Sequence, residues 1–155
     1  MEQLPETISE LPAGERQKRF IYLLDDMHSS LEIMKYLISF GRSQKPFTED
    51  ECGRGRIFEE CSITVRYLFM RSQDGSTYIR VNSDSQVLQG VLAVFAEIYQ
   101  GCCADEIRST KPDFHNYLPQ GLVPSFERKN GLRRLYYRLL EAAGGSRLAL
   151  GRVPG

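Results

Sequence analysis

Apolar residues recur at two spacings along this chain, and the switch between them divides it into helices, a hairpin, and helices again. From Glu15 to Met27, Phe20, Leu23 and Leu24 fall at helical spacing. Ser29-x-x-Glu32 then has the form of a capping box, in which a hydroxyl and a carboxylate satisfy backbone N–H groups at a helix start. That second helix is predicted to reach about Phe40, with Leu31, Met34, Leu37 and Ile38 inward and Gly41 as a left-handed C-cap. Arg42 to Gly55 is polar and glycine-rich, holds Pro46 and shows no period, which predicts a surface loop.

The period then changes to two. Ile63, Val65, Tyr67 and Phe69 alternate with Thr64, Arg66 and Leu68, and Gln73-Asp74-Gly75-Ser76 supplies a turn that returns Thr77 to Val81 antiparallel. Arg56 to Glu60 is a candidate third short strand. After it the helical period resumes: Ser83 or Asp84 is the expected cap of a helix burying Val87, Leu88, Val91, Leu92, Phe95, Ile98 and Tyr99, which Gly101 ends. Ala104 to Arg108 and Phe114 to Tyr117 read as short helical turns. Beyond Pro119, Gly121 and Pro124, one long helix from about Ser125 to Ala143 turns Leu132, Leu135, Leu139 and Leu140 inward and stops at Gly144-Gly145. The expectation is a single α+β domain over residues 1–155, with a small antiparallel sheet of about three strands packed with helices. Its core would span about 15–145, with a loose tail over 146–155.

Charge changes the picture modestly. Lys plus Arg and Asp plus Glu both total 20, so no overall basic field draws the chain onto nucleic acid. The signs are nevertheless segregated: 12 acidic and 8 basic residues through Cys61 give −4, and 8 acidic and 12 basic after it give +4. The longest apolar run, around Gly90 to Ala96, is far short of the roughly 20 residues that span a bilayer. The first fifteen residues have neither the pattern of a secretory signal nor the arginines of a transit peptide. A cytoplasmic protein with free thiols and no membrane partner is expected.

Common catalytic signatures are absent: there is no Gly-x-Ser-x-Gly, phosphate-binding glycine loop, dinucleotide fingerprint or His-Glu-x-x-His. His28 at a helix end and His115 beside aromatic residues read as capping or surface histidines. Cys52, Cys61, Cys102 and Cys103 form no Cys-x-x-Cys pair, which argues against zinc. Cys102 and Cys103 follow the stop of the core helix and read as packing residues. Cys52 has Asp50 and Glu51 beside it, and carboxylates disfavour a thiolate. Cys61 stands where the polar loop segment meets a strand. A thiol there can be held and still be reached, although these residues alone fit a structural cysteine equally well.

Several segments, in consistent order from Leu31 to Ala143, resemble the SufE family of cysteine-desulfurase partners. Lys35-Tyr36-Leu37-Ile38 with Phe40-Gly41 is similar to that family's Lys-Tyr helix ending in glycine. Ser83-Asp84-Ser85-Gln86-Val87-Leu88-Gln89-Gly90 is similar to its Ser-Asp segment and glycine-containing apolar helix, and Glu127-Arg128-Lys129-Asn130-Gly131-Leu132 to its Ser-Arg-x-x-Gly-Leu signature. Cys61-Ser62-Ile63-Thr64-Val65 falls where the family carries Gly-Cys-Gln-Ser-x-Val-Trp.

The resemblance implies a SufE/IscU-like fold and a persulfide carrier that enhances desulfurase turnover rather than a stand-alone enzyme. Cys61 would be the sulfur acceptor, Arg128 a stabiliser of its thiolate or persulfide, and Asp84 an interface or loop-ordering residue. The implied partner is a SufS- or CsdA-like cysteine desulfurase, with an iron–sulfur scaffold complex downstream. Pyridoxal phosphate would sit on the desulfurase alone, leaving this chain with no cofactor or metal of its own. A desulfurase-binding regulator that accepts no sulfur, or an IscU-like scaffold, are the alternatives. Glu60 stands in place of the family's glycine, Ser62 and Ile63 in place of Gln-Ser, and Arg66 in place of its tryptophan. Glu59 and Glu60 oppose thiolate formation electrostatically. Gly131 inside the last helix implies close backbone packing.

Overall fold

The structure is a computed structural model that describes residues 10–57 and 64–144. Two helices open it, α1 (Ala13–Asp25) and α2 (Ser30–Arg42). Ser29 caps α2 as expected, its hydroxyl accepting from the Glu32 N–H at 3.1 Å. Glu32 reaches one residue further back than a capping box requires and accepts from the His28 N–H. Ile33, Leu37 and Gly41 form the buried face of α2. Leu31, expected inside, is exposed, because Ile33, two residues on, is the one that turns toward α4.

Gly41 is an interior residue of α2 rather than its C-cap. A Cβ at Gly41 would lie 2.8 Å from the Gly90 nitrogen, and one at Gly90 would strike the Leu37 carbonyl. The two glycines therefore let α2 approach α4 (Gln86–Tyr99) backbone to backbone. α4 is buried on nearly every side, since Ala93, Val94 and Ala96 are inside along with the expected Leu88, Val91, Leu92, Phe95, Ile98 and Tyr99. Its cap is Ser85, whose hydroxyl accepts from the Leu88 N–H at 3.2 Å. Ser83 and Asp84, the expected caps, lie just before it, and Gly101 ends the helix at φ +77°.

The sheet has three antiparallel strands in the order β1 (Arg56–Ile57), β2 (Val65–Arg71), β3 (Thr77–Ser83). The predicted hairpin is present, with Val65 opposite Ser83 and Arg71 opposite Thr77. Ile57 pairs with Arg66 and Arg56 with Tyr67, so the third strand exists over these two residues; Phe58 to Glu60 and Ile63 lie outside the described residues. Val65, Tyr67, Ile79 and Val81 turn inward, and Phe69 meets Phe95 of α4 at 6.3 Å between ring centroids.

The stretch expected to be a loop contains a short helix, α3 (Glu49–Arg54), opened by a full Thr48/Glu51 capping box. It lies along the outer face of the hairpin. The Tyr78 hydroxyl donates to Glu51 at 2.7 Å, and Arg80 donates to the carbonyls of Lys45 and Pro46 at 2.8 and 2.7 Å. Downstream come α5 (Ala104–Arg108), a 3-10 turn (Phe114–Tyr117), α6 (Pro124–Arg128) and α7 (Gly131–Ala142). The expected single last helix is thus two, broken at Lys129 and at Asn130, which adopts a left-handed φ of 54°. Leu132, Leu135, Leu139 and Leu140 of α7 are inside as expected, joined by Tyr136.

Candidate functional site

Cys61 lies outside the described residues, but both ends of its segment are fixed. On one side Ile57 pairs with Arg66. On the other, the Thr64 carbonyl accepts from the Asp84 N–H at 3.4 Å, just before β2 begins. Thr64 follows Cys61 by three residues in the sequence. Because β1 and β2 are antiparallel and Val65 faces Ser83, both flanks emerge at the end of the sheet where β3 runs into α4.

Asp84 is therefore brought against the flank of the Cys61 segment, through its backbone. The cap expected at Ser83 or Asp84 is Ser85, and Asp84 is an exposed residue in the turn between β3 and α4. The turn is held by neighbours: Ser85 N–H donates to the Ser83 hydroxyl at 3.2 Å, and Ser83 N–H to the Gln89 side chain at 2.7 Å.

Arg128 ends α6 and is exposed. Among the described residues it makes no hydrogen bond or ion pair to Thr64 or Asp84. In the last helix it is Arg138 of α7 that meets the strands: its guanidinium lies 5.7 Å from the Tyr67 ring centroid and donates to the Tyr67 hydroxyl at 3.4 Å. Nothing in the sequence separates Arg138 from the other basic residues of the last helix; the packing of α7 on β2 is what distinguishes it.

The Glu127 to Leu132 signature folds into a corner. Glu127 accepts from the N–H groups of Gly121 and Val123 at 3.1 and 3.0 Å, fastening the incoming loop. Asn130 then reverses the chain, and a Cβ at Gly131 would collide with the Phe126 ring. The close packing expected at Gly131 is present. A depression of about 450 Å³ lies beside the corner, lined by Val91, His115, Leu118, Phe126 and Asn130 among others.

The remaining thiols differ in setting. Cys102 is buried, and desolvation pushes its pKa up to about 12, with the Arg16 charge opposing. It is a packing residue with an inert thiol. Cys103, read as packing too, is exposed, because it stands outside α5 at the cap position. Cys52 is exposed on α3. His28 is exposed at the start of α2, as expected. Partial burial holds the His115 pKa below the usual imidazole range, against the pull of Asp113. Among the described residues no three His, Cys, Asp or Glu side chains gather as a metal site, and no helix is long and apolar enough to cross a membrane.

Comparison with known proteins agrees with this architecture. The solution structure of a hypothetical protein from Thermus thermophilus is similar at a TM-score of 0.65 and 16% identity, covering 91% of this chain and 98% of that one. At that identity the likeness concerns the fold. No curated protein matches the sequence. The family model for SufE, the Fe-S metabolism associated domain, matches residues 18–143. That match takes in the α2–α4 glycine contact, the hairpin, the Cys61 segment and the Glu127 corner, and by it the chain belongs to the SufE family.

Proposed function

We propose that this protein accepts sulfane sulfur on Cys61 from a partner cysteine desulfurase and passes it on for iron–sulfur cluster assembly. Family membership supplies the setting, Fe-S metabolism. The observation that carries the finer reading is the fastening of both flanks of the Cys61 segment at one end of the sheet, by the Ile57–Arg66 pairing and the Asp84–Thr64 bond. Functional residues are commonly carried between anchored elements of a rigid scaffold, which supports placing the acceptor in this segment.

The chemistry is thiol–disulfide exchange with a persulfide as donor. Cys61 loses its proton to solvent or to a base on the partner, and its thiolate attacks the terminal sulfur of the desulfurase persulfide. One S–S bond forms, the donor S–S bond breaks, and the desulfurase cysteine leaves as a thiolate. The sulfane sulfur keeps its oxidation state, so no external oxidant or reductant enters. Pyridoxal phosphate acts on the partner, where free cysteine is desulfurated.

Incubation with a cysteine desulfurase and cysteine, followed by intact-mass measurement, is expected to show a gain of one sulfur atom that the Cys61→Ser variant lacks. Stimulation of the desulfurase should disappear with the same substitution. A fully active donor that leaves the mass of the wild-type chain unchanged would overturn the assignment. A second reading is favoured by the two carboxylates beside the thiol, Glu59 and Glu60, which oppose its ionisation. In that reading the protein binds and tunes the desulfurase without taking sulfur, and stimulation survives Cys61→Ser.

A further inference from the structure

The two edges of the sheet are treated differently. At β3, the Ile79 N–H donates to the Gln100 side-chain oxygen and the Gln100 amide donates back to the Ile79 carbonyl, both at 2.8 Å. Thr77 N–H donates to the Cys102 carbonyl at 3.0 Å and Ser83 N–H to Gln89 at 2.7 Å. That edge is thus occupied at Thr77, Ile79 and Ser83.

The opposite edge has less cover. Ser72 N–H donates to the Ser76 carbonyl at the hairpin turn, so the even-numbered residues of β2 exchange bonds with β3. Val65, Tyr67, Phe69 and Arg71 then direct their backbone groups to the other side. Among the described residues β1 covers that side beside Arg66 and Tyr67 alone, and the Phe69 N–H and carbonyl have no partner. Phe69 borders a notch of about 430 Å³ whose rim carries Arg54, Arg56 and Arg138, with Glu141 its single carboxylate among the described residues.

We propose that this notch takes an acidic, extended segment of a partner protein, which adds to β2 at Phe69 as a strand. Backbone bonds to Phe69 would supply the register and the guanidinium groups the charge recognition. Arg54 comes from α3 on the outer face of the sheet and Arg138 from α7 on the inner face, so side chains on both sides of an added strand meet an arginine. This favours a segment acidic at successive positions. Arg138 is already held against Tyr67. Arg54 forms its ion pair with exposed Asp50, an i,i+4 contact of the weak kind that a better carboxylate displaces. Arg56 makes no ion pair among the described residues. The notch adjoins β1, the strand that leads to Cys61, so an occupant would be seated beside that segment.

The test titrates the full-length protein with the peptide acetyl-Glu-Glu-Val-Glu-Glu-amide and follows backbone amides by NMR. Saturable shifts at Arg56, Leu68 and Phe69 are expected, with slowed hydrogen exchange at the Phe69 amide. In Arg54→Gln/Arg56→Gln the affinity should fall about tenfold, while the melting temperature stays unchanged because both side chains are exposed. Exchange at Phe69 that is indifferent to saturating peptide, shifts centred on Arg133 and Arg134 instead, or equal effects from sulfate alone would each overturn the proposal. The readout uses neither Cys61 nor a desulfurase, so its failure is distinguishable from failure of sulfur transfer.

Discussion

Arg16 is a charged side chain almost closed off from water, 5% exposed, and its setting shows what one residue contributes to the frame behind the site. Its Nε donates to the Leu11 carbonyl at 2.8 Å, and one Nη to the carbonyls of Glu97, Ile98 and Gln100 at 3.2, 3.2 and 2.7 Å. These carbonyls end α4, where no further turn of helix satisfies them. A guanidinium is also the charge that the negative end of a helix favours. Arg16→Ala is expected to cost about 3 kcal/mol in urea unfolding, since it strands buried acceptors as well as removing bonds. Arg16→Lys should recover only part of that, because an ammonium cannot reproduce the planar fork. None of this was legible in the sequence. Arg16 lies on a helix whose apolar spacing was plain, but the carbonyls it meets at the end of α4 are more than eighty residues away, and a charged residue near a helix start reads as solvated until α1 is docked on α4.

At the scale of elements, α3 is the instructive departure. Thr48-x-x-Glu51 is a legible cap, yet a six-residue helix is too short to show an apolar period, and Pro46, Gly53 and Gly55 around it argue for a loop. What stabilises it is tertiary: Glu51 accepts from Thr48 and Tyr78 and pairs with Arg80 at 3.4 Å. The Thr48 N–H first, then the Tyr78 hydroxyl, with Arg80 adding, hold the Glu51 carboxyl below the ordinary glutamate range despite some desolvation. A group with a lowered native pKa binds fewer protons folded than unfolded. Its contribution is therefore present above its unfolded value, about 4.3, and is lost as pH falls through the lower native one. Thermal melts of wild type and Glu51→Gln should differ most near neutrality and converge as pH falls through the lowered native pKa. A difference that stayed constant with pH would mean that shape rather than charge holds α3. The long periodic elements, α2, the hairpin and α4, were readable because burial of one face imposes a period. The break at Asn130 was not, since Leu132, Leu135 and Leu139 continue the helical spacing without regard to the turn before them. Gly41 misled for a related reason: a glycine near the end of a pattern resembles a C-cap, and only the neighbouring helix reveals it as a contact.

For the whole molecule, the positions of Cys61, Asp84 and Arg128 were read from family-type segments, and the fold explains the setting of two of these segments. Asp84 and Thr64 are joined across the sheet end, while the Arg128 segment is a corner organised by Glu127, Asn130 and Gly131. Helices cover the inner face of the sheet and α3 lies along the outer one, so the behaviour of its two edges decides what else the molecule can pair with. An unpaired edge is a template for another chain, and β3 avoids this by borrowing two glutamines. Gln100 has the larger part, since it returns both a donor and an acceptor to Ile79 in place of a neighbouring strand. Gln100→Leu keeps comparable bulk but leaves that residue's N–H and carbonyl without partners beside the core, at an expected cost of about 2 kcal/mol. It also reopens the edge. Sedimentation of this variant should therefore show concentration-dependent association at temperatures where the wild-type chain shows none, whereas Gln100→Glu, which keeps the acceptors and loses the donor, should be destabilised and resist association through its charge. If Gln100→Leu melted early yet sedimented like wild type at every concentration, the glutamine would be a stabilising contact only, and protection of the β3 edge would have to rest on the Cys102 carbonyl and Gln89.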